Sequence, residues 1–321
     1  MSLDFVSLGK DGIVVEVNPS LSQYTTFQLG GPCPFLLDCQ NPQQLELAVK
    51  SCLAQQQNFI VIGGGSNLLI SQTGVSCVVI RYVSSMPLIE RQNDELIVSG
   101  STILDQLALY AAQEGFEGLS CTNGIPGTVG GAVAGNAGAF GKQIGDILVS
   151  ASLLTRDGRV YEAGQSDLGF TYRHSRLKET GDIVLSVRLK LQQSDAKKLL
   201  SERDETLKIR SEKHPNLKTH PCAGSFFRNI EPTSKAERRQ AAGWFLEQAG
   251  VKDFRVGGAV IFSKHANIIV KSNGCSPQDV YDLSLLMAKA VKEKFNLDLI
   301  REVRLGGDFK NKPAEVKDIV W

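Results

Sequence analysis

The sequence has no excess of charge of either sign: 35 Lys and Arg against 34 Asp and Glu leave a net charge of +1. No global field therefore draws the chain to nucleic acid or to an anionic membrane surface, although a local basic cluster could still hold an anionic ligand. No apolar run approaches the roughly 18 residues that a membrane-spanning helix needs. Met1–Ser20 has no basic head followed by an apolar stretch, so it does not read as a secretory signal. The seven cysteines are odd in number and scattered, and none forms a C-x-x-C pair. Such thiols suit a reducing compartment, where they stay free and pack as small apolar groups. The four histidines show no metal-ligand spacing. A cytoplasmic protein without a metal site is expected. Two signatures are also missing. No G-x-G-x-x-G opens a helix with an acidic residue about 20 positions on, so a nicotinamide-binding doubly wound domain is not supported. No G-x-S-x-G stands around Ser225, where position 223 is Ala and no glycine follows at 227, which argues against a hydrolase nucleophile.

What is present is 321 residues with ordinary apolar (42%) and charged (21%) fractions, enough for two or three domains. The opening segment to Leu37 reads as short strands and turns. Asn41-Pro42 supplies an N-cap and a proline at the first helical position, and Leu45, Val49 and Leu53 continue a helix to about Gln56. Phe59–Ile62 and Val75–Ile80 read as buried strands. A second unit begins near Arg81, with a strand over Leu96–Ser99 and a helix face at Leu104, Leu107, Ala108 and Ala111 stopped by Gly115. Val187, Leu189 and Leu191 alternate with polar residues, as in a half-exposed strand. Ser194 to Lys213 turns charged and helical and is placed as a domain linker. Beyond it, helices are expected over Gln240–Ala249 and from Ser276-Pro277 to Phe295, and strands over Ala266–Val270 and Glu302–Leu305. The expected division is 1–80, 81–195 and 196–305, with a polar tail at 306–321.

Glycine is the anomaly: eight of the 22 residues from Gly124 to Gly145. Ordered glycine costs conformational entropy, so an enzyme concentrates it where backbone turns sharply or approaches a ligand. Gly63-Gly64-Gly65-Ser66-Asn67 follows a strand, and its successive N–H groups can form an anion-binding concavity. Alone, a glycine triplet is equally a plain tight turn. Gly124-Ile125-Pro126-Gly127-Thr128-Val129-Gly130-Gly131-Ala132, continuing through Asn136-Ala137-Gly138-Ala139, is small or apolar throughout. It suits a flat ring system with backbone against one face, or close helix packing. Two such loops, each after a strand and about 60 residues apart, favour a dinucleotide-like cofactor. Tyr172-Arg173 offers a fixed cation for a carboxylate, or an ordinary surface pair. Ser225 stands in a wall with Phe226 and Phe227, or in a turn. Arg210 and Lys213 share a helix face that could meet phosphates or simply solvent.

Taken in order, Thr25-Thr26-Phe27 with Gly30-Gly31, the two glycine loops, Asn136-Ala137-Gly138-Ala139, Tyr172-Arg173, Ala223-Gly224-Ser225-Phe226-Phe227, Ala242-Gly243-Trp244 and Glu302-Val303-Arg304 closely resemble the UDP-N-acetylenolpyruvoylglucosamine reductases over nearly the whole chain. The resemblance implies an α+β, three-domain flavoprotein. FAD would lie between two N-terminal domains of the vanillyl-alcohol-oxidase type, and a C-terminal α+β domain would close over a UDP-sugar. It implies cofactor contacts from Thr26, Gly63–Asn67, Asn123–Thr128, Gly130–Ala132 and Asn136–Ala139. It implies substrate contacts from Tyr172, Arg210, Lys213 and Asn229, with Lys264 and Asn267 nearby. A monomer is the family expectation. Only a dozen residues separate Arg173 from the strand near Ser186, which resembles the shorter subtype, without the insertion that carries a capping tyrosine.

By the same resemblance, NADPH reduces FAD, and the flavin passes a hydride to the β-carbon of the enol ether. Arg173 and Glu302 stabilise the charge that develops on the carboxylate, and Ser225 protonates the α-carbon. A carboxylate beside the substrate's carboxylate requires a raised Glu302 pKa or a nearby cation. Strand alternation is expected to turn Arg301 and Arg304 away from Glu302. The chain departs from the family pattern at His174, where aspartate is commoner, and at Ile230 and Arg301, where proline is usual. The competing readings are another FAD-dependent oxidase or dehydrogenase on the same scaffold and a flavin- or nucleotide-binding protein without activity.

Overall fold

The structure is a computed structural model and describes residues 5–232 and 238–312. A four-stranded sheet opens the chain, in the order Val14–Val17, Phe35–Cys39, Val78–Tyr82, Phe59–Ile62. Its first pair is antiparallel and the remaining pairs are parallel. The parallel strands are buried on both faces, which is why Phe59–Ile62 is apolar without alternation. Helix Pro42–Ala54 makes the crossover and begins as expected, with the Asn41 side chain accepting from Gln44 N.

The second unit is a five-stranded antiparallel sheet in the order Val160–Gly164, Leu148–Leu154, Ile183–Lys190, Glu95–Ser99, Ile89–Gln92. Helix Leu104–Gln113 and the short helix Val129–Ala134 pack their apolar residues against it. The two units share a core: Leu154, Ile183 and Leu185 of the second pack with Leu37, Val61 and Ile80 of the first. The strand Val78–Tyr82 runs across the division expected at residue 80.

Helix Ala196–Lys213 is no free linker. It buries Leu199 and Arg203 and lies on helix Leu104–Gln113. Beyond it, a three-stranded sheet of Arg255–Val256, Ala259–Ile261 and Ile269–Lys271 packs with helices Ala242–Gln248 and Pro277–Phe295. The strand expected over Ala266–Val270 thus lies slightly later. The strand expected over Glu302–Leu305 is Arg304–Gly306, and it does not complete this sheet. It returns to the first unit and pairs in parallel with Leu68–Ile70. Residues 313–321 of the expected tail fall outside the described residues.

All seven cysteines are free thiols. Among the described residues, no helix is long and apolar enough to cross a membrane, and no group of three His, Cys, Asp or Glu side chains could hold a metal ion.

Candidate active site

The two glycine loops lie back to back. Ser66 Oγ donates to the Pro126 carbonyl at 3.0 Å. A Cβ on Gly63 would stand 2.4 Å from Thr128 Oγ1, and one on Gly127 2.7 Å from Ser66 Oγ. Gly65 has φ +61°, and a Cβ there would meet the Tyr24 carbonyl oxygen at 2.0 Å, so only glycine fits. Thr26 N donates to the Gly65 carbonyl at 3.1 Å, and Thr26 Oγ1 to the Cys222 carbonyl at 2.7 Å, tying the loop to the C-terminal unit. Among the described residues, no acceptor takes the backbone N–H of Gly64, Gly65 or Ser66. Unclaimed N–H groups in a glycine turn form a cradle for an anionic group such as a pyrophosphate.

A crevice opens between Ile62, Gly63, Thr128, Gly131, Tyr82 and Val184. Thr128 caps helix Val129–Ala134 by accepting from Gly131 N, and Gly130 N donates to the Gly100 carbonyl at 2.9 Å. Ala132 is buried within that helix. Apolar side chains (Val61, Ile62, Tyr82, Ile183 and Val184) and glycine backbone line it together, the chemistry that a flat, largely apolar ring system such as a flavin requires. Tyr82 and Asp182–Val184 were not singled out in the sequence, because nothing in their spacing sets them apart.

The loop at Asn123 and Gly124 is locked from outside the cleft. Arg203 is almost wholly buried and makes two bonds to Asp105, at 2.8 and 2.7 Å, and one to Asn123 Oδ1 at 2.9 Å. Asp105 in turn accepts from Gly124 N at 2.6 Å. Burial opposes ionisation of Asp105, but Arg203 and the Gly124 N–H outweigh it and hold the carboxyl below its ordinary range. Ile125 packs into the second core. Sequence reasoning missed both Asp105 and Arg203, since a lone acid and a lone arginine 98 residues apart carry no local pattern.

Asn136 and its neighbours brace the next element. Asn136 Nδ2 donates to the Thr171 carbonyl at 2.9 Å, and its Oδ1 accepts from Gly145 N at 3.1 Å. Ala137 N donates to the Ala132 carbonyl, and Gly138–Ala139 pairs with Lys142–Gln143. The Gly138 carbonyl accepts from Arg173 Nη1 at 3.0 Å. Arg173 sits in a turn closed by mutual bonds between Thr171 and His174, at φ +56°, a left-handed backbone that costs a non-glycine residue about 1–2 kcal/mol.

Arg173 Nε lies 3.0 Å from Glu302 Oε1, both side chains being largely buried. The N–H is not aligned with the carboxylate, so the contact is an ion pair and leaves Nε–H without an acceptor; the buried Arg228 Nε has none either. Glu302 is fixed by its backbone: its N–H donates to the Phe226 carbonyl at 2.8 Å, and its carbonyl accepts from Asn67 Nδ2 at 3.1 Å. Arg304 N donates to the Asn67 carbonyl at 3.0 Å. Asn67 therefore joins the first glycine loop to Glu302, and Glu302 to the segment that carries Ser225. Burial pushes the Glu302 carboxyl up, while Arg173, Lys178 and Arg228 pull it down without cancelling that effect. The raised pKa and the nearby cations, offered above as alternatives, thus occur together.

Residue 302 precedes strand Arg304–Gly306, so alternation does not apply as expected, and residues two apart would in any case share a side. Lys178, Arg228, Arg301, Glu302 and Arg304 all border one cavity of about 250 Å³.

Ser225 bridges to Ile268 and is half-buried, with Gly224 at φ +75° before it. Asn267 is buried and spends both ends of its amide on the Phe227 backbone, Oδ1 accepting at 3.0 Å and Nδ2 donating at 2.8 Å. It therefore positions the Ser225–Phe227 segment. Tyr172 accepts from Asn229 N at 3.4 Å, and its ring carries the guanidinium of Arg173 at 5.3 Å and of Arg239 at 4.2 Å. Asn229 Oδ1 also accepts from Ala242 N. Arg210 packs against Gly124 and is lowered by burial, with Arg173 adding to the effect. Lys213 and Lys264 are exposed. His265 Nδ1 accepts from Asn267 N, a structural role. Of the departures, His174 pairs with Glu179 at 3.2 Å, and Ile230 both donates to and accepts from Gln240, a donation that proline could not make. Arg301 Nε donates to the Val303 carbonyl.

Residues 214–306 match the family model of the UDP-N-acetylenolpyruvoylglucosamine reductase C-terminal domain, and residues 34–164 match an FAD binding domain. The UDP-N-acetylenolpyruvoylglucosamine reductase of Bacillus pumilus is 36% identical over 92% of this chain and 95% of that protein. The one from Alkaliphilus metalliredigens is 33% identical over 95% of this chain and 97% of its own length. The crystal structure of the enzyme from Thermus caldophilus superposes with a TM-score of 0.74 at 31% identity, covering 91% of this chain and 99% of that one.

Proposed function

The chain belongs to the UDP-N-acetylenolpyruvoylglucosamine reductase family, and from that premise we propose that it reduces UDP-N-acetylglucosamine enolpyruvate to UDP-N-acetylmuramate with NADPH, in peptidoglycan precursor synthesis. When bound, FAD supplies the redox chemistry between NADPH and the enol ether. Gly63–Asn67, Asn123–Thr128, Gly130–Ala132 and Asn136–Ala139 would hold it, with Thr26 bracing the first loop. In outline, 1–80 and 81–195 serve the cofactor and 196–305 the UDP-sugar, while Tyr172 and Arg173 of the second unit reach the substrate.

Reduction places negative charge on the substrate carboxylate, and an unstabilised carbanion equivalent is too costly without donors already in place. Arg173 and Glu302 meet that charge. The guanidinium supplies a fixed cation, and burial, which raises the Glu302 pKa against the pull of the cations, eases uptake of a proton there as charge develops on the substrate beside it. Ser225 delivers the proton to the α-carbon. A hydroxyl is a weak acid, so it serves only a strongly basic carbanion in a site that excludes water. Tyr172, Asn229, Arg210 and Lys213 receive the UDP-sugar, with Lys264 at the rim. The protein works in the cytoplasm as a monomer.

The observation that carries this reading is the convergence on Glu302. Its carboxylate pairs with Arg173, its N–H bonds the residue after Ser225, and its carbonyl bonds Asn67 of the glycine loop. The test is turnover of the purified chain loaded with FAD. Addition of NADPH and the enolpyruvyl sugar is expected to give a product two mass units heavier, with NADPH consumed in equal amount. A chain that binds no FAD, or one that consumes NADPH without changing the sugar, would defeat the proposal.

A further inference from the structure

Lys178 lies in the short helix Leu177–Thr180, just after the turn that carries Arg173. Its Nζ donates to the Arg173 carbonyl at 2.8 Å. Three restraints therefore fix one residue. The ammonium holds the Arg173 carbonyl, Gly138 accepts from the guanidinium, and the Thr171–His174 pair closes the turn around a left-handed backbone. With all three in place, Nε can face Glu302 at 3.0 Å. None of the neighbouring bonds holds the Arg173 carbonyl, so Lys178 is what resists rotation of this peptide unit out of a conformation that arginine does not favour.

Lys178 also borders the cavity shared by Arg228, Arg301, Glu302 and Arg304. Among the described residues, the charged groups that act on it most are Arg228, Arg304 and Arg173 as cations and the Glu302 carboxylate. On its own short helix, Glu179 is turned to His174. Burial, followed by the repulsion of Arg228 and Arg304, pushes the lysine down to about 8. This ammonium can therefore lose its charge within the working range of an enzyme, which an arginine in the same place could not.

We propose that Lys178 is a positioning residue for the reaction: it holds the Arg173 turn in register with Glu302, and its ammonium sets the charge balance of that pair. The inference rests on the function proposed above. It differs from a merely structural role, because it concerns the step in which Arg173 and Glu302 meet the substrate and leaves flavin binding and reduction by NADPH untouched.

The experiment separates the two half-reactions of the FAD-loaded protein by anaerobic stopped flow. In Lys178→Met, FAD content and bleaching by NADPH are expected to stay within about twofold of the parent. Reoxidation by the enolpyruvyl sugar is expected to slow by about tenfold or more, the range in which displaced transition-state donors act. Lys178→Arg, which keeps a donor and a permanent charge, should recover most of that rate. The parent's reoxidation rate should change through pH about 8, and in Lys178→Arg that limb should disappear. Reoxidation of Lys178→Met at the parent's rate, or an unmoved limb in Lys178→Arg, overturns the inference. If Lys178→Met fails to retain FAD, the pH limb of Lys178→Arg decides alone. Failure of the parent protein itself to be reoxidised by the sugar would instead overturn the proposed function.

Discussion

Arg173 Nε stands 3.0 Å from Glu302 Oε1, although one residue rides on a turn of the second unit and the other on the segment that links the C-terminal unit back to the first. The pair is held from its backbone on both sides, so neither charge is free to follow the other. A site built this way tolerates little change in shape.

Replacing Arg173 with Lys should therefore be costly. Lysine keeps the charge but loses the planar fork, and its ammonium cannot serve Gly138 and Glu302 together. Turnover is expected to fall by about 10²–10³-fold with FAD content unchanged, the cost of losing one well-placed transition-state donor. Steady-state rates with NADPH and the enolpyruvyl sugar give the answer, and unimpaired turnover would remove Arg173 from the reaction.

Ser225→Ala tests the proton. Bleaching by NADPH should persist, while reoxidation by substrate slows by roughly 10²–10⁴-fold, as expected for loss of a general acid. A loss below about tenfold would reject the role. Because Asn267 and Glu302 fix this segment through the Phe226 and Phe227 backbone, removal of the Ser225 hydroxyl should leave the thermal transition nearly unmoved.

Gly65→Ala attacks the cradle itself. The added methyl meets the Tyr24 carbonyl oxygen at 2.0 Å, on a backbone at φ +61°. The turn must shift, and the N–H groups of Gly64 to Ser66 shift with it. The expected outcome is loss of most bound flavin on gel filtration, together with a lowered midpoint of thermal unfolding. A yellow, fully loaded Gly65→Ala protein would place the cofactor elsewhere.

Asp105→Asn probes the lock on Asn123 and Gly124. It leaves Arg203, 7% exposed at its side chain, without its counter-charge. A fully buried broken pair costs about 3–5 kcal/mol, and the partial exposure of Asp105 brings the expectation to about 2–3 kcal/mol. Urea unfolding measures it, and FAD titration of the refolded chain should show weaker binding through the loosened loop.

His214 gives a pH dependence with a definite sign. Burial, together with Arg210, His265 and Lys213, lowers its pKa from 6.5 to about 4, so the folded chain keeps it neutral. The unfolded chain takes up this proton near 6.5, so in that window unfolding binds a proton and stability falls as pH drops. The contribution is fully present above about 6.5 and is gone below about 4. The denaturation midpoint of the parent should therefore fall relative to that of His214→Gln as the pH is lowered through this window. Parallel curves would show that His214 titrates normally.

The local elements were legible wherever local chemistry decided them. Asn41-Pro42 and Ser276-Pro277 start helices because a cap and a missing N–H act within one turn. The two glycine loops stood out because glycine is used only where a side chain cannot fit, and the collisions at Gly63, Gly65 and Gly127 bear that out. The strand at Arg304–Gly306 was visible but its partner was not: a short apolar run carries no record of which sheet it will join, and this one crosses to Leu68–Ile70. The helix Ala196–Lys213 looked like a linker because its sequence is charged, and burial of Leu199 and the buried pairing of Arg203 with Asp105 show that it is docked.

By itself, then, the sequence determined where backbone could approach a ligand, which segments would be helices and strands, and, through the ordered run of motifs, the family. The tertiary structure alone decided that Glu302 meets Arg173, that Asn136 and Asn267 brace neighbouring backbone, and that Lys178 stands buried among arginines. The reason lies in range. Caps, turns and glycine conformations are set by forces acting over a few residues, whereas ion pairs, burial and pKa shifts depend on what packing brings together from distant parts of the chain.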